Sequence, residues 1–111
     1  MSMFSQKAFI RKYTSYIITT NDVSAEAEVC DVIIVYNEDN TTNIGIYMYN
    51  TKILLYSRGE INTGSTAGGF KYQIIECINR DSGNNVGVQL FDECVRIFTN
   101  ENYSDSIEYF N

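Results

Sequence analysis

An α+β fold is predicted for this chain, with one mostly antiparallel sheet of about five or six strands and a helix from each end of the sequence packed on it. Three observations predict it. Val32-Ile33-Ile34-Val35-Tyr36 is apolar at every position, the pattern of a strand covered on both faces. Two further strand-like runs, Ile44–Tyr49 and Lys52–Tyr56, are separated only by Asn50-Thr51 and read as a hairpin. Near the start, Phe9, Tyr13 and Tyr16 recur at helical spacing, and near the finish Ser104 precedes Asp105, Ile107 and Glu108 as a cap precedes a short helix.

Taken in order, Ser5 caps an N-terminal helix that runs to roughly Thr14. Tyr16-Ile17-Ile18-Thr19-Thr20 is rich in β-branched residues and suits a strand or a helix end. Asn21-Asp22 marks a turn, and Ser24-Ala25-Glu26-Ala27-Glu28 is either a helical turn or the solvated start of the strand through Tyr36. Glu38-Asp39-Asn40 is a polar turn. In the hairpin, a two-residue loop at Asn50-Thr51 sets Met48 opposite Ile53, Ile46 opposite Leu55 and Tyr47 opposite Leu54. The first two pairs share a face; Tyr47, Tyr49 and Tyr56 fall on the other.

Gly59 to Gly69 is the longest interval without a strand signal and reads as a mobile loop. Phe70 to Ile78 alternates, with Phe70, Tyr72, Ile74 and Ile78 on one face. Arg80-Asp81-Ser82-Gly83-Asn84 connects it to Val86–Leu90, with Gly83 where a positive φ is wanted. Phe91 to Thr99 fits two patterns. Phe91, Cys94, Val95 and Phe98 repeat at helical spacing, whereas Val95-Arg96-Ile97-Phe98 alone suits a strand; the helix is slightly preferred. Ser104 to Phe110 is a short capped helix docked on the sheet, because a free tail rarely ends in aromatics.

Composition narrows the chemistry. The 111 residues suit a single domain, and no apolar run is long enough for a membrane-spanning helix. The start of the chain lacks a secretory pattern, since Ala8-Phe9-Ile10 is interrupted by Arg11-Lys12, so a cytoplasmic location is expected. Cys30, Cys77 and Cys94 are odd in number and widely spaced, a poor disulfide framework, and are read as small buried hydrophobes. Histidine is absent, which removes imidazole bases, Ser-His and Cys-His pairs and histidine-ligated metals. Glu26, Glu28 and Asp31 lack the glycine-turned loop of a cation site. Gly64 and Gly69 have phosphate-loop spacing, but Phe70 stands where the lysine belongs and Lys71 is one place late. Asp92 and Glu93 are adjacent, so their side chains diverge and make no acid–base pair. Neither an enzyme nor a cofactor is expected.

Charge and aromatics point to a partner. Fourteen acids against eight bases give a net charge of −6, and the first twenty residues hold Lys7, Arg11 and Lys12 with no acid. Such a body repels nucleic-acid phosphates and attracts basic surfaces. The leading expectation is a small acidic protein-binding inhibitor or immunity-type protein, of the kind encoded by phages and other mobile elements. It would occlude a basic, nucleic-acid-handling partner and bind neither nucleic acid nor membrane directly. The expected contact residues are Asp92, Glu93, Glu101 and Asp105, with Tyr47, Tyr49 and Tyr56 as a second, aromatic face. Two alternatives stay open: a domain that sequesters or senses a small ligand beneath Gly59–Gly69, and a self-assembling subunit such as a homodimer.

Overall fold

A computed structural model describes residues 9–36, 43–100 and 102–111, and within them there is no helix. The strands are β1 (Phe9–Thr20), β2 (Val23–Ser24), β3 (Glu28–Tyr36), β4 (Ile44–Met48) and β5 (Thr51–Ser65). They continue with β6 (Lys71–Asn79), β7 (Asn85–Leu90), β8 (Val95–Phe98) and β9 (Ser106–Phe110). Each strand from β3 to β9 pairs antiparallel with the next, β1 pairs with β3, and β9 pairs back onto β1 from Ser15↔Phe110 to Thr19↔Ser106. Eight strands therefore close into an up-and-down barrel, and the two-residue β2 pairs with the end of β1. The α+β expectation is overturned.

Both predicted helices are strands, and each error has a physical cause. The ladder between β1 and β3 runs regularly to Tyr13↔Val32 and then jumps to Ser15↔Val29, a β-bulge in which Cys30 and Asp31 of β3 oppose Thr14 alone. A strand keeps every second residue on one face, but across this irregularity the phase of β1 changes, with Tyr13 opposite the buried Val32 of β3 and Tyr16 opposite the buried Tyr109 of β9. Tyr13 and Tyr16, three apart, therefore both pack on the core, which imitates helical spacing. Thr14, opposite the bulge, has its own partner: Asn111 Oδ1 accepts from its N–H at 3.0 Å and its hydroxyl at 3.2 Å. The N-cap expected at Ser5 lies outside the described residues. At the other end, β9 packs Ile107 and Tyr109 on the core, with Glu108 between them on the other face, where it pairs with Arg96. Residues 91–99 resolve as a turn followed by β8, not as a helix.

The barrel is filled. Ile44, Ile75, Cys77, Val88 and Val95 are wholly buried, with Val32, Ile34, Leu55, Leu90 and Ile97 around them, so the described residues fill the lumen as a packed core. The β4–β5 hairpin turns at Tyr49-Asn50, one residue earlier than expected, with Asn50 at φ 60°. The pairs are accordingly Met48↔Thr51, Tyr47↔Lys52 and Ile46↔Ile53. That register differs by two residues from the predicted one, and a two-residue slip leaves every side chain on its predicted face. The Asn21-Asp22 turn carries positive φ at both residues, as a tight two-residue hairpin requires, and Gly83 has φ 74°. In β6 the predicted face of Tyr72, Ile74 and Ile78 is the outer one, and Ile75 and Cys77 supply the core.

Candidate functional site: the mouth of the barrel

Alternate connections lie at opposite rims. One rim, the mouth, includes the start of β1, the end of β3, the start of β4, the β5–β6 turn, the β7–β8 turn and the end of β9. The interval from Gly59 to Gly69 is not a loop. β5 continues through Ser65, and only residues 66–70 turn, with Thr66 N–H donating to Phe70 O at 2.9 Å and Gly69 at φ 87°. β4 stops pairing with β5 at Leu55 and β7 stops pairing with β6 at Gln73, so the distal part of this hairpin projects past its neighbours. A bulge, in which residues 58–60 face Glu76 alone, sits at the root of this arm.

The inward face of the arm changes character along its length. Cross-strand partners share a face, so Ile61↔Ile75 belongs to the core layer, followed towards the mouth by Thr63↔Gln73 and then Ser65↔Lys71. On β1 the same change occurs between Tyr13, which is buried, and Arg11, which pairs opposite Ile34. Inward positions are thus aliphatic or aromatic in the lumen and hydroxyl, amide or cationic at the mouth. They enclose a cavity of about 560 Å³, lined also by Gly64, Tyr72, Leu90, Phe91 and Asp92. That volume lies within the range of small-molecule sites.

Two features hold the mouth in shape. Arg11 Nη1 donates to Phe91 O at 2.6 Å and to the Tyr13 hydroxyl at 3.3 Å, tying β1 to the β7–β8 turn across the mouth. Tyr72 lies over Gly64, its hydroxyl oxygen 2.6 Å from where a Cβ would stand, and meets Phe91 at 5.5 Å between ring centroids. A side chain at Gly64 would push that ring aside.

The expected contact residues are not brought together. Asp92 and Glu93 are exposed on the mouth rim, where Asp92 lines the cavity. Asp105 sits at the opposite rim and accepts the Asn21 N–H at 2.8 Å, so it caps a turn. Glu101 lies outside the described residues. Tyr47 and Tyr56 are half-buried on the outer wall, with Lys52 Nζ 5.0 Å from the Tyr47 ring and Arg80 Cζ 5.5 Å from the Tyr56 ring. Tyr49 is a turn residue, 89% exposed. The thiols are all free, but they are not alike. Cys77 is fully buried, which pushes its pKa up to about 12, whereas Cys30 and Cys94 are half-buried and also raised by burial. Glu28, one of the three clustered acids, accepts from the Tyr16 hydroxyl at 3.1 Å, and Glu26 and Asp31 are exposed.

Sequence reasoning missed Arg11, Thr63, Ser65, Lys71 and Gln73. Their signal was present in Ile61-Asn62-Thr63-Gly64-Ser65, whose alternation matches that of Lys71–Ile75 once the turn is placed at 66–70. Comparison of the chain with protein-family models, with curated proteins and with solved structures finds no match. No helix among the described residues is long and apolar enough to cross a membrane.

Proposed function

We propose that this protein is a small-molecule-binding barrel that holds its ligand at the mouth. The observation that carries this reading is the switch of inward residues from aliphatic to polar and cationic, around a cavity that the packed lumen closes from below. Polar side chains directed into a concave site beside apolar walls supply orientation and desolvation together. This is the sequestering or sensing alternative, with the arm from Gly59 to Gly69 beside the site. The test is thermal melting with the small-molecule fraction of a lysate of the producing cells, since a ligand of the folded state raises Tm. A Thr63→Trp variant, which fills the mouth, should lose the shift. No shift in the unmodified protein would overturn the reading.

A second reading, occlusion of a basic partner, is favoured by one observation. Glu76, Asp81, Asp92, Glu93, Asp105 and Glu108 all lie on β6–β9 and their connections, whereas β1, β4 and residues 51–58 of β5 carry no acid. Reversing Asp92 and Glu93 to lysine should then slow association with a basic, nucleic-acid-handling protein and weaken its salt dependence. Unchanged association rates at low and high salt would remove this reading.

A further inference from the structure

We infer that two copies of this chain join arm to arm, the edge of β5 from Ile61 to Ser65 pairing antiparallel with the same edge of a second copy. This pairing is independent of what the mouth binds.

The ladder leaves that edge open. Pairing of β5 with β4 ends at Leu55, and Asn43 Oδ1 takes a further donor, Ser57 N–H, at 2.9 Å. Beyond that point no strand among the described residues lies beside β5 on the β4 side. Thr66 N–H donates to Phe70 O, so the backbone of Thr66 faces β6. Backbone groups in an antiparallel ladder alternate in direction along the strand. Asn62 and Gly64 therefore also turn to β6, and the N–H and C=O groups of Ile61, Thr63 and Ser65 point away from it.

The sequence leaves the same edge unguarded. Strand edges in natural proteins are blunted by charge, by proline or by a bulge. Ile61 to Phe70 holds no charged residue, and the chain has no proline. The bulge at residues 58–60 ends before Ile61, from which the pairing with β6 runs regularly to Ser65↔Lys71. Thr63 and Ser65 are exposed, on an arm that already projects past its neighbours.

A second copy fits this edge. Antiparallel pairing about a two-fold at Thr63 sets the two Thr63 residues opposite one another and each Ile61 opposite the other copy's Ser65. Three such pairs exchange about six hydrogen bonds, and directly opposed threonines add a favourable cross-strand contact. Charge favours the same approach. A net charge of −6 opposes association in general, but the open edge faces β4, and β1, β4 and residues 51–58 of β5 carry no acid. Glu76, Asp92, Glu93 and Glu108 lie on the other half of the barrel. An uncharged edge selects no charged partner, whereas its own copy matches it residue for residue. Opposed residues share a face, so the surface of Thr63 and Ser65 that lines the mouth continues onto the second arm.

Sedimentation equilibrium tests this. An interface of this size gives a dimer that dissociates on dilution, so over an about hundredfold dilution the mass should move from two chains to one. Thr63→Pro removes an N–H from the open edge and none from the β5–β6 ladder, so it should fold and remain a single chain throughout. Thr63→Lys sets like charges opposite each other and should weaken dimerisation by at least about tenfold, less so at high salt. It keeps the test decisive should the proline variant fail to fold. Ala25→Lys, an exposed change near the opposite rim, should dimerise like the unmodified protein. A single-chain mass at every concentration would overturn the inference, and so would a dimer that survives Thr63→Lys unweakened.

Discussion

The two rims of the barrel are finished by different chemistry. At the rim opposite the mouth, the β8–β9 connection and the first hairpin spend their polar groups largely on one another. Asn100 Oδ1 accepts the N–H groups of Ser104 and Asp105, both at 3.1 Å, and its Nδ2 donates to Ser104 Oγ at 2.9 Å. Asp22 N–H donates to Ser104 O at 3.0 Å, and Asp105 accepts from Asn21, which joins the β8–β9 connection to the first hairpin. At the mouth, by contrast, Lys71, Asp92 and Glu93 are exposed, and three cavities adjoin the β7–β8 turn. One corner of that rim is tied by short-range hydrogen bonds to backbone, whereas the mouth combines exposed charge with the larger cavities. Polar residues at a barrel end are therefore no guide to function until their partners are known.

The largest effect that sharpens this contrast marks where the packed lumen stops and the mouth begins. Ile75→Ala should cost ~2–5 kcal/mol in denaturant unfolding, as a cavity in a wholly buried layer. Gln73→Ala, one inward position nearer the mouth and exposed, should cost no more than ~0.5 kcal/mol. Equal losses would mean that the mouth is part of the core.

Alkaline unfolding should follow next. The Cys77 thiol titrates near 9 when unfolded and at about 12 in the barrel. Below pH 9 both states hold the proton and the contribution is complete. Between those values the unfolded chain loses its proton first, so stability falls as pH rises, by ~1.4 kcal/mol per pH unit. Burial raises Tyr36 and Tyr109 in the same direction. Cys77→Ala should be less stable at neutral pH yet show a shallower alkaline decline; an unchanged slope would remove Cys77 as its source.

Asn100→Ala tests the tied corner. It leaves two backbone N–H groups and the Ser104 hydroxyl without their partner and should cost ~1–3 kcal/mol, while ligand binding at the mouth stays the same. A loss of binding would show that the two rims are coupled. The smallest expected effect on stability is Lys71→Gln, within about 0.5 kcal/mol, because Lys71 is an exposed residue of the projecting arm. A larger loss would mean that the mouth cation serves the fold.

What the sequence disclosed depended on how local the cause was. The strands at Val32–Tyr36, Ile44–Met48 and Val86–Leu90, the Asn21-Asp22 turn and the positive φ at Gly83 each follow from a few neighbouring residues, and each stands in the structure. The N-terminal helix failed because the bulge opposite Thr14 depends on how β1 meets β3, which periodicity within β1 does not report. Barrel closure failed for the same reason, since β1 and β9 come from opposite ends of the sequence. The site was the least visible part. Thr63, Ser65, Lys71 and Gln73 become one surface only through the β5–β6 register, and Arg11 joins them only through the closed ring. A stretch rich in glycine, serine and threonine reads as a connection until its partner strand is known.

The pairing of β1 with β9 also sets a schedule. A chain made from its N-terminal side presents β1 well before β9, so the ring cannot shut until everything between them has been produced. Until then the second half of β1, from Ser15 to Thr19, is an unpaired edge able to accept a strand from a neighbouring molecule. The loop entropy of so distant a contact also makes closure slow compared with the adjacent hairpins. The hazard of this architecture lies in the interval before closure, when crowding and temperature decide whether β1 meets its own β9 or another molecule's strand.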